Sequence, residues 1–184
     1  MTPRRAVAIL LLTGLAAALL WPLPWLVISE TAPDGSEARR WVLPGADGTR
    51  FALRWRHSVE REDWIETFVL HQGAVRVVES RFKTFGAGVP DGAGVRSRLE
   101  GGWVVMEDLD RRVDPLRVQA AAGSHYRLIY RQRCLDLRTL GRAPVLHFQQ
   151  AHLPLAVAAG RLGPALRQLF QSVPHPPVTG QETP

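Results

Sequence analysis

The densest set of groups able to do chemistry is His57-Ser58-Val59-Glu60, with Glu66 six residues further on. A hydroxyl, an imidazole and a carboxylate are the parts of a nucleophilic relay: the base takes the hydroxyl proton and the acid orients the base. Period-2 geometry argues against a local relay, because on one strand Ser58 and Glu60 would share a face opposite His57. A hydrolase using Ser58 or His57 with Glu60 or Glu66 would have to complete its site from distant segments. No Gly-x-Ser-x-Gly elbow supports one. The plainer reading gives Ser58 and Glu60 the end of a strand and the start of a turn at Arg61-Glu62-Asp63.

A second cluster is Phe82-Lys83-Thr84-Phe85-Gly86-Ala87-Gly88-Val89-Pro90. Gly86 and Gly88, one residue apart, let the backbone pass close to another group or expose successive N–H donors to an anion, and Lys83 could add charge. A single Gly-x-Gly with no phosphate-loop or dinucleotide pattern around it implies no cofactor. The six histidines (57, 71, 125, 147, 152 and 175) form no His-x-His or His-x-x-x-His pair, so no metal site is expected. The single cysteine, Cys134, supplies neither an intrachain disulfide nor a thiolate cage. The net charge is +6 and the isoelectric point about 10.8. Lys83 is the only lysine, and the arginines are dispersed, with only short pairs such as Arg39-Arg40 and Arg111-Arg112. No basic block interleaved with aromatics appears, which disfavours nucleic acid as a partner.

The elements that must position these residues are mostly strands. Phe51, Leu53, Trp55 and Val59 alternate with smaller or polar residues, and 64–70 alternates too. Gln72-Gly73 makes the turn into 74–82. Further short strands are expected at 41–43, 103–106, 116–118, 126–130, 134–137 and 145–148, with turn residues between them. About eight strands at this spacing predict a mainly β fold, a small antiparallel β-sandwich or partly open barrel. Residues 154–173 are rich in Ala and Leu and predict a short C-terminal helical segment, broken at Gly163-Pro164. It would cover one end of the β domain or lie on a membrane surface. The Pro-rich tail from 174 to 184 reads as disordered.

Arg4 and Arg5 precede an uncharged run, 6–28, with Trp21, Pro22, Pro24 and Trp25 near its far end. As a helix those residues would span roughly 34 Å, enough to cross a bilayer. The basic pair predicts a cytoplasmic N-terminus and an exported C-terminal part. The expected organisation is a transmembrane anchor over 1–29, a linker over 30–40, a β domain over 41–150, a helical segment over 151–173 and the tail. The alternative is a cleaved signal peptide, cut at Ala16-Ala17-Ala18 or at Val27-Ile28-Ser29, which also exports the domain.

His57-Ser58-Val59-Glu60, Trp64, Glu66, Arg81-Phe82 leading to Gly86-Ala87-Gly88-Val89-Pro90, and Gly102-Trp103 resemble, in that order and spacing, an uncharacterised bacterial family, domain of unknown function 1850. The resemblance covers roughly residues 50–137. It implies a small exported or membrane-anchored protein. It also implies association with TRAP-type transporters whose binding protein is of the TAXI kind, hence an accessory role in organic-anion uptake. It supplies no catalytic residues. Family members often carry Thr-Pro or another polar pair after the first motif, where this chain has Arg61-Glu62-Asp63. The expectation is therefore a non-enzymatic accessory or binding module at the periplasmic face, with a TRAP-type permease or its solute-binding protein as partner. A hydrolase and a purely structural scaffold are the rivals. The binding or motif candidates are His57, Ser58, Glu60, Glu66, Lys83, Gly86, Gly88 and Pro90. Within them, Glu60 or Glu66 is expected to accept hydrogen bonds from backbone N–H groups of residues 86–88.

Overall fold

Alternation along the strands gives each sheet one apolar face, and in the computed structural model two antiparallel sheets close those faces on each other. The structure describes residues 2–32, 34–84, 96–139 and 145–171. After an N-terminal helix, α1 (Pro3–Leu20), come β1 (Pro22–Thr31), β2 (Glu37–Pro44), β3 (Arg50–Arg56), β4 (Asp63–His71) and β5 (Ala74–Phe82). These are followed by β6 (Arg96–Glu100), β7 (Trp103–Arg112), β8 (Leu116–Gln119), β9 (Arg127–Tyr130), β10 (Arg133–Asp136), β11 (Val145–Pro154) and a C-terminal helix, α2 (Leu155–Gln171). One sheet has the order β2-β1-β11-β8, the other β10-β9-β3-β4-β5-β7-β6.

The register decides which side chains meet. Phe51 lies opposite Phe68 and Tyr130, and Leu53 opposite Glu66 and Leu128, so these residues share the inner face of the larger sheet. Leu26 and Ile28 of β1, with Trp41 and Leu43 of β2 and Leu146 and Phe148 of β11, present the facing layer. Phe51 stacks on Phe68 at 5.2 Å and reaches across the gap to Phe148 at 5.8 Å. The outer face of the smaller sheet carries Trp25, Val27 and Val42, and α2 covers it through Ala158. The far end of α2 places Leu169 in the main core. α2 thus packs on the sandwich itself, and its helical backbone runs unbroken through Gly163 and Pro164.

The structure redraws the N-terminal boundary. The apolar run 6–28 is not one element: α1 stops at Leu20, and Trp25, Leu26, Val27 and Ile28 are buried in a strand paired on both sides. Pro22 and Pro24 cannot continue a helix, and the residues after them suit a strand covered on both faces, which reads as a continuous apolar stretch. The expected linker shrinks accordingly, since Glu30 is buried in β1 and β2 begins at Glu37. Among the described residues the sheets contain eleven strands, two more than the nine segments read from the sequence. The unforeseen ones are β1 and β6, an exposed edge strand with little apolar alternation. The strand through Phe51 ends at Arg56, which leaves Val59 exposed. The expected tail lies outside the described residues.

Two poles follow from the pairing. Pro22 lies opposite Pro154, and Trp25 opposite Pro44, whose carbonyl accepts a 2.6 Å hydrogen bond from the Tyr130 hydroxyl. Buried Gln150 ties the same pole together. Its amide donates to the Gly45 carbonyl at 2.9 Å and to Asp47 Oδ1 at 3.1 Å, and its oxygen accepts from Gly73 N–H at 2.9 Å. The backbone N–H of Gln72 and the Gln150 amide hold the Asp47 carboxyl below its usual range. α1 joins β1 at this pole through Trp21 and also lies against α2. The opposite pole carries the β3–β4 turn, the end of β5 and the start of β9.

Candidate functional site

β3 gives way at Arg56 to a six-residue turn. His57 N–H donates to the Glu62 carbonyl at 2.8 Å, and Arg61 N–H donates to the His57 carbonyl at 3.0 Å. Arg61 takes a left-handed conformation with φ 55°. The turn folds Glu60 back so that its carboxylate meets Nδ1 of His57, whose ring stacks on Trp64 at 5.2 Å. This corrects the strand-face argument: period-2 alternation has already ended, so His57 and Glu60 are partners rather than residues on opposite faces. One buried carboxylate oxygen of Glu62 has no hydrogen-bond partner among the described residues. Ser58 is exposed and makes no hydrogen bond to His57, so the nucleophile's place in a relay is unfilled.

Behind the turn, Tyr126, Trp55, Trp64 and Phe82 form a row of stacked rings, with centroids 5.3, 5.8 and 4.9 Å apart. The Trp64 indole N–H donates to Ser80 Oγ at 2.9 Å, which fixes the ring. Glu66 projects from the same inner face, between Trp64 and Phe68 along β4 and opposite Leu53. Burial raises its carboxyl above the ordinary value, and the charge of Arg111 pulls it part of the way back. Burial, with help from Glu66, pushes the Tyr126 phenol up to about 12. Glu60 and Glu66 therefore occupy different environments, one in the turn and one inside the sandwich. Lys83 lies on the outer face, its ammonium 5.3 Å from the Trp103 ring centroid. Gly86, Gly88 and Pro90 lie outside the described residues, and so does the expected loop bonding to Glu60 or Glu66.

The position of Glu66 carries a testable consequence. The folded protein holds this proton more tightly than the unfolded chain. Stability attributable to Glu66 is therefore lost as pH rises from the ordinary carboxylate value through the raised one. Glu66→Gln should melt at a higher temperature than the parent at pH 7, and the gap should close at about pH 3, where both states of the parent are protonated. Thermal melts at the two pH values check this. A variant that melts lower at pH 7 would mean that the carboxylate is satisfied in place.

On the outer face, period-2 alternation sends Arg54 and Arg56 of β3 and Arg127 of β9 to the same side. Two open hollows meet there. The first, of about 440 Å³, is lined by Arg56, His57, Ser58, Arg61, Ser124 and His125. The second, of about 240 Å³, is lined by Arg54, Trp55, Arg56, Asp63, His125 and Arg127. Arg56 and His125 form the wall they share. Asp63 is the single carboxylate among the described lining residues and is taken up by an ion pair with Arg54. Arg56 donates through Nε to the Arg61 carbonyl at 2.8 Å and forms no ion pair among the described residues. The cleft is thus electropositive, open and polar, suited to holding an anion by charge-assisted hydrogen bonds.

Residues 51–137 match the family model described as Domain of unknown function (DUF1850). No curated protein and no solved structure matches the chain. The DUF1850 match takes in nearly all of the seven-stranded sheet, together with β8 and the whole lining of the cleft. The strands β1, β2 and β11, which supply the opposite half of the core, lie outside it, as do both helices. Of the sequence candidates, His57 and Ser58 line the first hollow, Glu60 orients His57, and Glu66 and Lys83 lie elsewhere. Arg54, Arg56, Arg61, His125 and Arg127 were missed. The available signal was arginine recurring at solvent-facing strand positions, but no spacing links residue 61 to residue 127. Among the described residues, no group of three His, Cys, Asp or Glu side chains is placed to hold a metal ion.

Proposed function

We propose that this chain is a membrane-anchored accessory or binding protein of the periplasmic face, linked to TRAP-type (TAXI) uptake of organic anions. The observation that carries the reading is the arginine- and histidine-lined cleft, in which the one carboxylate among the described residues is already paired. Such a field raises the local concentration of anions and speeds their capture. α1 supports the location: it is 18 residues of apolar helix with no buried position, long enough for roughly 27 Å, and Arg4 and Arg5 lie in its first turn. By the positive-inside rule those arginines stay in the cytoplasm and the sandwich is exported. The partner under this reading is a TRAP-type permease or its solute-binding protein. The test is affinity purification of the full chain after mild detergent extraction of membranes. A transporter subunit or binding protein should be retained in stoichiometric amount. Recovery of the chain without either would overturn the link to uptake.

A further inference from the structure

We propose that the two hollows form one site for a small, soluble dicarboxylate, with Arg61 and Arg127 each taking one carboxylate and Arg56 and His125 between them. The inference deepens the reading above and rests on it. Three observations support it.

The first is charge distribution. Each hollow carries an arginine that forms no ion pair among the described residues: Arg61 in the first, and Arg127 in the second, whose charge also acts on Asp136 across the β9–β10 pairing, a carboxylate held by Arg138. Arg54, which also faces the second hollow, is held by Asp63. A single small anion would satisfy one end only, whereas a ligand with two anionic ends spans the shared wall. Together the hollows have the volume of an ordinary small-molecule pocket.

The second is backbone conformation. Arg61 and His125 both adopt left-handed φ values, 55° and 48°. That region costs an L side chain of order 1 kcal/mol or more, and glycine enters it freely. Both residues line the first hollow, and neither side chain is needed to fill the core, since His125 and Arg61 are at least partly exposed. The same conformation occurs away from the cleft at Gln72, Asp108, Asp110, Arg131 and Gln132, so its bearing here is that it holds two basic side chains in the lining of one hollow.

The third is position. The cleft lies at the pole opposite the point where α1 joins β1. A ten-residue strand such as β1 is roughly 30 Å long, so a sandwich standing upright on α1 would hold the cleft about that far from the bilayer surface. In that orientation lipid headgroups, which carry the same anionic chemistry, would be out of reach.

The test uses full-length protein in nanodiscs of zwitterionic lipid, titrated calorimetrically with succinate, glutarate, acetate and inorganic phosphate. Succinate or glutarate should bind at least about tenfold more tightly than acetate or phosphate, as expected when a second charged hydrogen-bonding end is engaged. Arg61→Gly and Arg127→Gln should each weaken that binding about tenfold or more. Arg117→Gln, on the other sheet, should leave it unchanged. Arg61→Gly should also melt no lower than the parent, which separates loss of a ligand contact from loss of fold. Equal affinity for acetate, or parental affinity in both cleft variants, would overturn the proposal. Repeating the titration in nanodiscs containing phosphatidylglycerol should give the same affinity. Competition by that lipid would overturn the assignment to a soluble ligand. Retention of a transporter subunit without dicarboxylate binding would end this inference and leave the accessory role standing.

Discussion

A fragment beginning at Pro22 is expected to fold with the cooperativity of the full sandwich, and a fragment beginning at Ala32 is expected not to fold. α1 buries no residue, so removing residues 1–21 takes away nothing that the core depends on. The ten residues of β1 are different. They pair with β11 along one edge and β2 along the other, and without them the smaller sheet has no link between those strands. They also carry Trp25, Leu26, Val27 and Ile28, all nearly inaccessible to solvent. At about 1.5–3 kcal/mol for each fully buried side chain, their loss costs about 6–12 kcal/mol, comparable to the whole stability of a domain. Circular dichroism and denaturant melts of the two fragments check this. A cooperative melt of the shorter fragment would show that β1 is dispensable. The same reasoning constrains processing. A cut at Ala16-Ala17-Ala18 leaves β1 whole, whereas a cut at Val27-Ile28-Ser29 removes most of the strand. If the N-terminus is processed, the mature chain begins no later than Pro22.

Gly45→Ala should be the most damaging of the small substitutions. A Cβ at this position would lie 2.1 Å from the backbone nitrogen of Leu26, 2.5 Å from the carbonyl carbon of Trp25 and 2.9 Å from Leu70 Cδ1. Two of those neighbours are backbone of a central strand, which cannot move without breaking its pairing with β2 and β11. Gly45 is also bound at both ends: its N–H donates to the Pro24 carbonyl at 3.3 Å, and its carbonyl accepts from Gln150 at 2.9 Å. Overpacking usually costs 1–3 kcal/mol where side chains can adjust. Against fixed backbone, the loss should be about 3 kcal/mol or more. Gly160→Ala is the contrasting case. Its Cβ meets nothing within 4 Å, and a glycine inside a helix costs about 1 kcal/mol relative to alanine, so that variant should gain slightly. Chemical denaturation of both variants reads the difference. A Gly45→Ala protein of parental stability would mean that the β2–β3 corner can shift away from β1.

Several features were determined by the sequence alone because they depend on local patterning. Alternation at Phe51, Leu53 and Trp55 set the inner face of β3, and Gln72-Gly73 marked the β4–β5 hairpin, where Gln72 has φ 51° and Gly73 φ 76°. The mainly β class followed from the spacing of such segments. Tertiary structure decided the rest. Apolarity does not distinguish a lipid environment from a protein core, so the run 6–28 could be divided only by the strands that pair with 22–31. His57 meets Glu60 because the backbone leaves the extended conformation after Arg56, and a left-handed Arg61 closes the turn, a conformation that no periodicity announces. The cleft needed most from the fold. Arg61 and Arg127 are 66 positions apart in the chain. They line adjoining hollows only because β9 adds to β3 on the side opposite β4, a long-range pairing governed by burial of Leu53 and Leu128 on the other face of the same strands.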